Sequence, residues 1–372
     1  MRPSRGFSLV ELMVAITLAL IVTGAVLSVF VATRSASQST AGTAALTDGG
    51  RFALDFIQFA VRDAGYMACN TARRQTSILN GGATPLYYSF TEPLGGFEAD
   101  GTAPGGAYSA AVGSATTPVV ADGSAGDWVS GLDPALTAPP LVIKGNDVLV
   151  VRSSLRNTQP VFVTAIVDGA ANFTVNNAGG LAANELAVIS DCAKSVVFQI
   201  QQVAPPSGQN ASIALSTGGP APGNIAANFL PLSFSTGSQV TAVDTVVFYI
   251  GAGADGDSAL YAADLYDSSG NFTGAFNAKE LVPDIEAMQV LYGLDTSGTQ
   301  SVGGYVTADQ VPDFNSIMSV QVAVLAASLP GAVKAPSVAP TFNLLGTAVT
   351  APIDTRARHV FEVTTAVRNA LP

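Results

Sequence analysis

The polar and apolar positions along the chain fall into three regimes. From Phe7 to Thr33 the sequence is apolar almost without interruption, "FSLVELMVAITLALIVTGAVLSVFVAT", longer than the ~20 residues a membrane-spanning helix needs. Only Glu11 places a charge inside it. Over 34–65 the period changes. "TRSASQSTAGTAALTDGG" is small and polar, and "RFALDFIQFAVRDAGYMACN" sets Phe52, Phe56, Phe59 and Asp63 at i, i+4, i+7 and i+11. Leu54, Ile57 and Val61 form an adjacent strip, so this stretch predicts an amphipathic stem helix docking a broad apolar face on a core, with Gly65 as its C-cap. Unbroken from Phe7 to Ala64, the two helical stretches would reach about 87 Å. Gly49-Gly50 is the expected bend.

Beyond residue 66 the period shortens to that of strands. "DVLVVR", "VFVTAIV", "ELAVIS", "SVVFQIQQV", "TVVFYIG", "ALYAADLY", "MQVLYGL", "SVQVAVLAAS" and "VFEVTTAV" are short, rich in Val, Ile, Phe and Thr, and separated by Gly/Pro/Asn/Asp clusters. "YIGAGADGDSALY" reads as a hairpin around a Gly-rich loop. The fold class this predicts is α+β: a long N-terminal α-helix packed against a large antiparallel β-sheet head spanning 66–372. Two stretches, near 77–140 and 204–232, are punctuated by Pro and Gly with little periodicity and read as irregular inserts.

Charge narrows the function. The net charge is −11 and charged residues are only 12% of the chain, so it has no general electrostatic claim on nucleic acid or anionic lipid. Arg2 and Arg5 precede the apolar run with no acidic residue beside them, which keeps the N-terminus in the cytoplasm and sends the head across. Cys69 and Cys192 are two buried thiols or one disulfide, and export would favour the bridge. His359, the one histidine, sits in a strand-like segment with no nucleophile elbow near it. Asp255 and Asp257, two apart in "GADGDS", could offer oxygens to Ca²⁺ but lack the rest of the EF-hand spacing, so a plain turn is expected. No catalytic residue, metal or cofactor is assigned.

Three readings compete for the N-terminus. A cleaved secretory signal has a shorter apolar core of ~7–15 residues. A plain signal anchor fits the length but leaves Gly6-Phe7 and Glu11 without a role. The third rests on a resemblance: "GFSLVELMVAI" resembles the class III signal of type IV pilins and type II secretion pseudopilins. That resemblance implies a leader 1–6 ending in Gly6, cleavage there by a prepilin peptidase, N-methylation of Phe7, and an assembly role for Glu11. A carboxylate at membrane depth is costly unless it meets a partner. After the cut the amine of Phe7, or that of a neighbouring subunit, would supply one. Pro, which kinks many pilin stems, is absent here, leaving Gly24 and Ser28 as the weak points of 7–33.

"GRFALDFIQFAVRDAGYMAC" resembles the stem of PilW-type minor pilins, and "ELAVISDCAKSVVFQI", "DTVVFYIGAGADGDSALY", "LVPDIEAMQVLYGLD" and "HVFEVTTAVRN" follow in the family's order. The resemblance implies a Cys69–Cys192 bridge and a minor pilin that primes type IV pilus assembly in a tip complex. Its partners would be other minor and major pilins and a large tip adhesin. The subunit would wait in the inner membrane, head in the periplasm, before joining the pilus. Two other readings are a type II secretion pseudopilin of the J type and a membrane-anchored periplasmic adhesin.

Overall fold

The computed structural model describes residues 8–71, 75–81, 85–113, 117–137, 141–155, 161–207, 210–296, 298–299 and 301–370. Helix α1, Leu9–Asp63, runs through 55 residues. Ser8 caps it, the hydroxyl accepting the Glu11 N–H at 3.2 Å, and Glu11 places its charge in the first turn, where the helix dipole favours an anion. At the far end Gly65 takes φ +73° and donates its N–H to the Arg152 carbonyl at 2.9 Å. The left-handed conformation there needs no Cβ, and the chain turns off the helix into the head.

Helix α1 continues without interruption through Gly49-Gly50, the weak point expected there. The reason is a close approach. The upper stem buries Gly42, Leu46, Gly50, Ala53, Leu54, Ile57 and Val61, one stripe at helical spacing. A Cβ on Gly42 would lie 2.7 Å from the Ala332 Cβ, and one on Gly50 would lie 2.2 Å from the Phe361 ring. The glycines thus serve packing instead of flexibility. The predicted docking face is corrected too. Leu54, Ile57 and Val61 are buried, whereas Phe52, Phe56 and Phe59 point outward, 60%, 46% and 51% exposed.

The head is largely antiparallel. Its principal strands are β1 (Val148–Ser154), β2 (Gln239–Ala252), β3 (Ser258–Tyr266), β4 (Phe272–Pro283), β5 (Ile285–Leu294), β6 (Ile317–Ala327) and β7 (Arg358–Ala366). Strand β2 joins two halves. Its first residues pair with Leu186–Ser190, Val243–Phe248 pair with β1, and Val247–Ala252 pair with β3, which in turn holds β4. A second sheet runs Gly304–Val306, β5, β6, β7, all antiparallel. The stem packs chiefly on β6 and β7. Leu46, Leu54, Ile57 and Val61 then share one core with Phe248, Ile250, Met288, Val290, Val322 and Val324 from both sheets. Fully burying an aliphatic side chain of this kind contributes ~1.5–3 kcal/mol, so this stripe is what anchors the helix.

Neither insert is a bare loop. The 77–140 stretch carries the short strands Leu94–Phe97 and Ala107–Ser109 and buries Trp128, whose indole N–H donates to the Asn146 carbonyl at 3.1 Å. Leu132 and Leu136 pack with it against β1 and β2. In 204–232 a hairpin, Gln202–Ser207 with Asn210–Ala214, leads to an irregular segment held by Asn224. That side-chain amide accepts the Gln199 N–H at 2.7 Å and donates to its carbonyl at 2.8 Å, standing in for a neighbouring strand.

Buried carboxylates mark the joint between insert and sheets. Asp147 accepts the N–H groups of Ala99 (3.1 Å) and Val290 (2.8 Å), tying the insert to β5. Burial, and then the charge of Asp147, push the neighbouring Glu98 carboxyl up to about 9. Burial also pushes Asp244 up to about 8. Such acids hold their protons better folded than unfolded, so their stabilisation is complete below the ordinary carboxylate range and is lost as pH rises towards about 9.

Two outcomes follow. Thermal unfolding of the full chain in detergent is expected to move to lower temperature between pH 6 and 9, and Glu98→Gln should reduce that slope without removing it, because Asp244 remains. Gly50→Ala should destabilise by ~1–3 kcal/mol through overlap with Phe361, despite alanine's better helix propensity. Gly49→Ala, whose Cβ would meet Val282 at an ordinary 3.6 Å, should instead gain up to ~1 kcal/mol in the same denaturation experiment.

Candidate assembly surface

The first half of α1 touches none of the head. Every large apolar side chain from Leu9 to Val31 is more than half exposed, and the segment is long and apolar enough to cross a membrane. Its few hydroxyls are dealt with internally. Thr17, Thr23, Ser28 and Thr33 each donate to a carbonyl three or four residues back, at 2.7–2.9 Å. A hydroxyl satisfied within its own helix can enter hydrocarbon or a helix bundle without an orphaned donor. Glu11 remains the one charge in this half, on its exposed first turn, with Arg34 the next along the chain. Gly6 and Phe7 lie outside the described residues.

Below this half the stem is braced from three sides. The stripe from Gly42 to Val61 docks on the sheets. Beyond Asp63 the Asn369 amide donates to the Ala64 carbonyl at 2.9 Å, fixing the helix end to the last turn of the chain. Next comes a small hairpin, Tyr66–Met67 with Asn70–Thr71, whose Cys69 is joined to Cys192, with Cα atoms 4.7 Å apart. Cys192 sits in the turn between Leu186–Ser190 and Ser195–Gln199, so the bridge couples the stem's exit to the β2 half away from the docking sheet. It closes a separation of 123 residues.

None of the remaining candidates assembles into catalytic geometry. His359 lies on β7 with its ring edge-on to Phe361 at 4.9 Å. Asp255 and Asp257 do occupy the turn between β2 and β3, as expected, but the structure adds two groups the sequence reading did not connect. Asp284, at the corner between β4 and β5, and Arg356, just before β7, both converge on Asp257. Burial pushes the Asp284 carboxyl up, against the pull of Arg356. One step on, Arg358 makes a bidentate pair with Glu286 (2.6 and 2.9 Å) and a second with Asp354 (2.8 and 2.6 Å). The pairs of Arg356 with Asp257 and Asp284 and of Arg358 with Glu286 span 72 to 99 residues and have no local signature; Arg358–Asp354, four residues apart, is local.

A family model described as type IV pilus-assembly protein W matches residues 247–369, and one described as the prokaryotic N-terminal methylation motif matches residues 1–27. The first span runs from the second half of β2 to just past β7, and so includes the sheet on which the stem docks. No curated protein matches the chain. Among solved structures, a type IV-like pilin from Thermus thermophilus is similar at 14% identity, covering 51% of this chain and 86% of that one, with a TM-score of 0.22. The chain is thus similar to the methylation motif over its first residues and to type IV pilus-assembly protein W over about the last third of its length.

Proposed function

We propose that this protein is a minor pilin that joins other minor pilins in the complex priming type IV pilus assembly, and that it stays at the filament tip. The observation that carries this reading is the division of labour along α1. The half from Leu9 to Val31 is left wholly exposed by its own head, while the half from Gly42 to Val61 is committed to a head of more than twenty strands and helical turns. The exposed half suits insertion first in the inner membrane and then in a bundle of like helices. The head is bulky for a unit repeated along a thin shaft, which favours the tip, where a large adhesin could seat on it.

In this reading the prepilin peptidase cuts after Gly6 and methylates Phe7. Glu11 then meets the Phe7 amine of a neighbouring subunit, and that pair sets the register as apolar side chains pack. Phe52, Phe56 and Phe59, turned away from the head, extend the surface available to neighbouring stems. The Cys69–Cys192 bridge ties the head to the exit of the stem under load.

Two measurements test this. Mass spectrometry of the protein from assembled pili should give a mature N-terminus at methylated Phe7, and an intact Met1 would overturn the processing scheme. Immunogold or cryo-EM labelling should decorate filament ends only; labelling along the shaft would sink the tip assignment while leaving the processing result standing.

A further inference from the structure

The corner where Asp255, Asp257, Asp284 and Arg356 meet is charged out of balance. Arg356 donates one N–H to Asp284 Oδ1 at 2.8 Å and another to Asp257 Oδ2. That single guanidinium pairs with two of three carboxylates whose ligand oxygens all lie within 4.8 Å of one another. Asp257 is 7% exposed, and its second oxygen, Oδ1, is buried with no hydrogen-bond partner among the described residues. A buried carboxylate oxygen with no partner is costly, and folded proteins supply it with a donor or a cation. No donor among the described residues reaches Oδ1, and the Arg356 guanidinium is taken up by Oδ2 and Asp284.

We propose that this corner binds a divalent cation of calcium size, with Asp255, Asp257 and Asp284 as its carboxylate ligands and Asp257 Oδ1 as its buried anchor. The choice of ion follows from the ligand number. Three carboxylates on separate turns, completed by water, suit the flexible, carboxylate-rich shell of Ca²⁺, whereas Mg²⁺ is usually held by one or two carboxylates in a rigid octahedron. Asp255 is exposed and supplies the open side through which the ion enters, while Arg356 closes the other side. Water would complete the coordination shell.

Binding here would tie together chain segments that are far apart in sequence. The turn carrying Asp255 and Asp257 holds the 77–140 insert through the Gly256 carbonyl, which accepts the Val119 N–H at 2.9 Å. Asp284 follows the strand whose Val282 faces Gly49 of the stem. Arg356 leads into β7, the strand against the Gly50 backbone. A cation would thus stiffen the head where insert, sheets and stem converge.

The test uses the full chain in a non-ionic detergent, with Ca²⁺, Mg²⁺ and Tb³⁺ as probes. Ca²⁺ should raise the unfolding temperature, reversibly on chelation, with half-saturation on the order of 0.1–1 mM as in extracellular calcium modules. Mg²⁺ should bind at least about tenfold more weakly. Terbium emission sensitised through Tyr261, whose hydroxyl donates to the Ala252 carbonyl at the base of the turn, should appear and be displaced by Ca²⁺. Asp255→Asn keeps an oxygen for the Asp257 N–H, so the metal-free protein should unfold as the wild type does, with calcium affinity down about tenfold or more. No calcium shift up to about 10 mM would overturn the site, since that is well above the affinity range of such modules. An unchanged response in Asp255→Asn and Asp284→Asn would overturn it equally, and equal binding of Mg²⁺ would overturn the assignment to calcium.

Discussion

Where the Phe361 ring meets Gly50, nothing but hydrogen separates the backbone of α1 from the side chains of β7. That approach fixes how the helix is rotated. With Gly42 and Gly50 facing the head, Ala53, Leu54, Ile57 and Val61 fall into the space between the two sheets, and the aromatic stripe is turned out. Any side chain at Gly50 larger than hydrogen would push the helix off this seat and loosen the core below it. The helix is not interrupted at the Gly-Gly pair, because packing against β7 supplies more than the glycines' intrinsic preference takes away.

The same rotation decides what the remainder of α1 can do. Above Gly42 no strand is near enough to cover the helix, so the apolar stretch from Leu9 to Thr33 is left facing outward. In water that surface would be a liability. In lipid or among similar helices it is the ordinary state, and the segment is adapted to it: its four hydroxyls bond within the helix and its one carboxylate sits at the end where the helix dipole is positive. Ser8 takes up the Glu11 N–H of the first turn without help from the head.

The apolar run, the helix that continues it and the strand-rich head could all be read from periodicity, because each is a local pattern several residues deep. The face of the stem could not. Phe52, Phe56 and Phe59 keep helical spacing as faithfully as Leu54, Ile57 and Val61 do, and only the partner surface chooses between the stripes. Trp128 and its neighbours were hidden for another reason: their segment packs through turns and side-chain-to-backbone hydrogen bonds, which leave no period. The acidic turn at Asp255–Asp257 was visible, but Asp284 and Arg356, which give it its character, reach it only through the fold.

Strand β7 is pinned at both ends, and the pins differ in kind. At its start Arg356 and Arg358 reach Asp257, Asp284 and Glu286, buried ion pairs that tolerate little displacement because a separated partner would be a charge left in the interior. Past its end, Asn369 reaches the last carbonyl of the stem's cap. Between them lie the nine residues paired with β6, among them the Phe361 against which Gly50 rests. Sliding β7 by one residue would flip its side chains to the opposite face and break both pins together. The stem's seat is therefore held by polar contacts at the two ends of one strand, and the apolar contact at its middle is positioned by them.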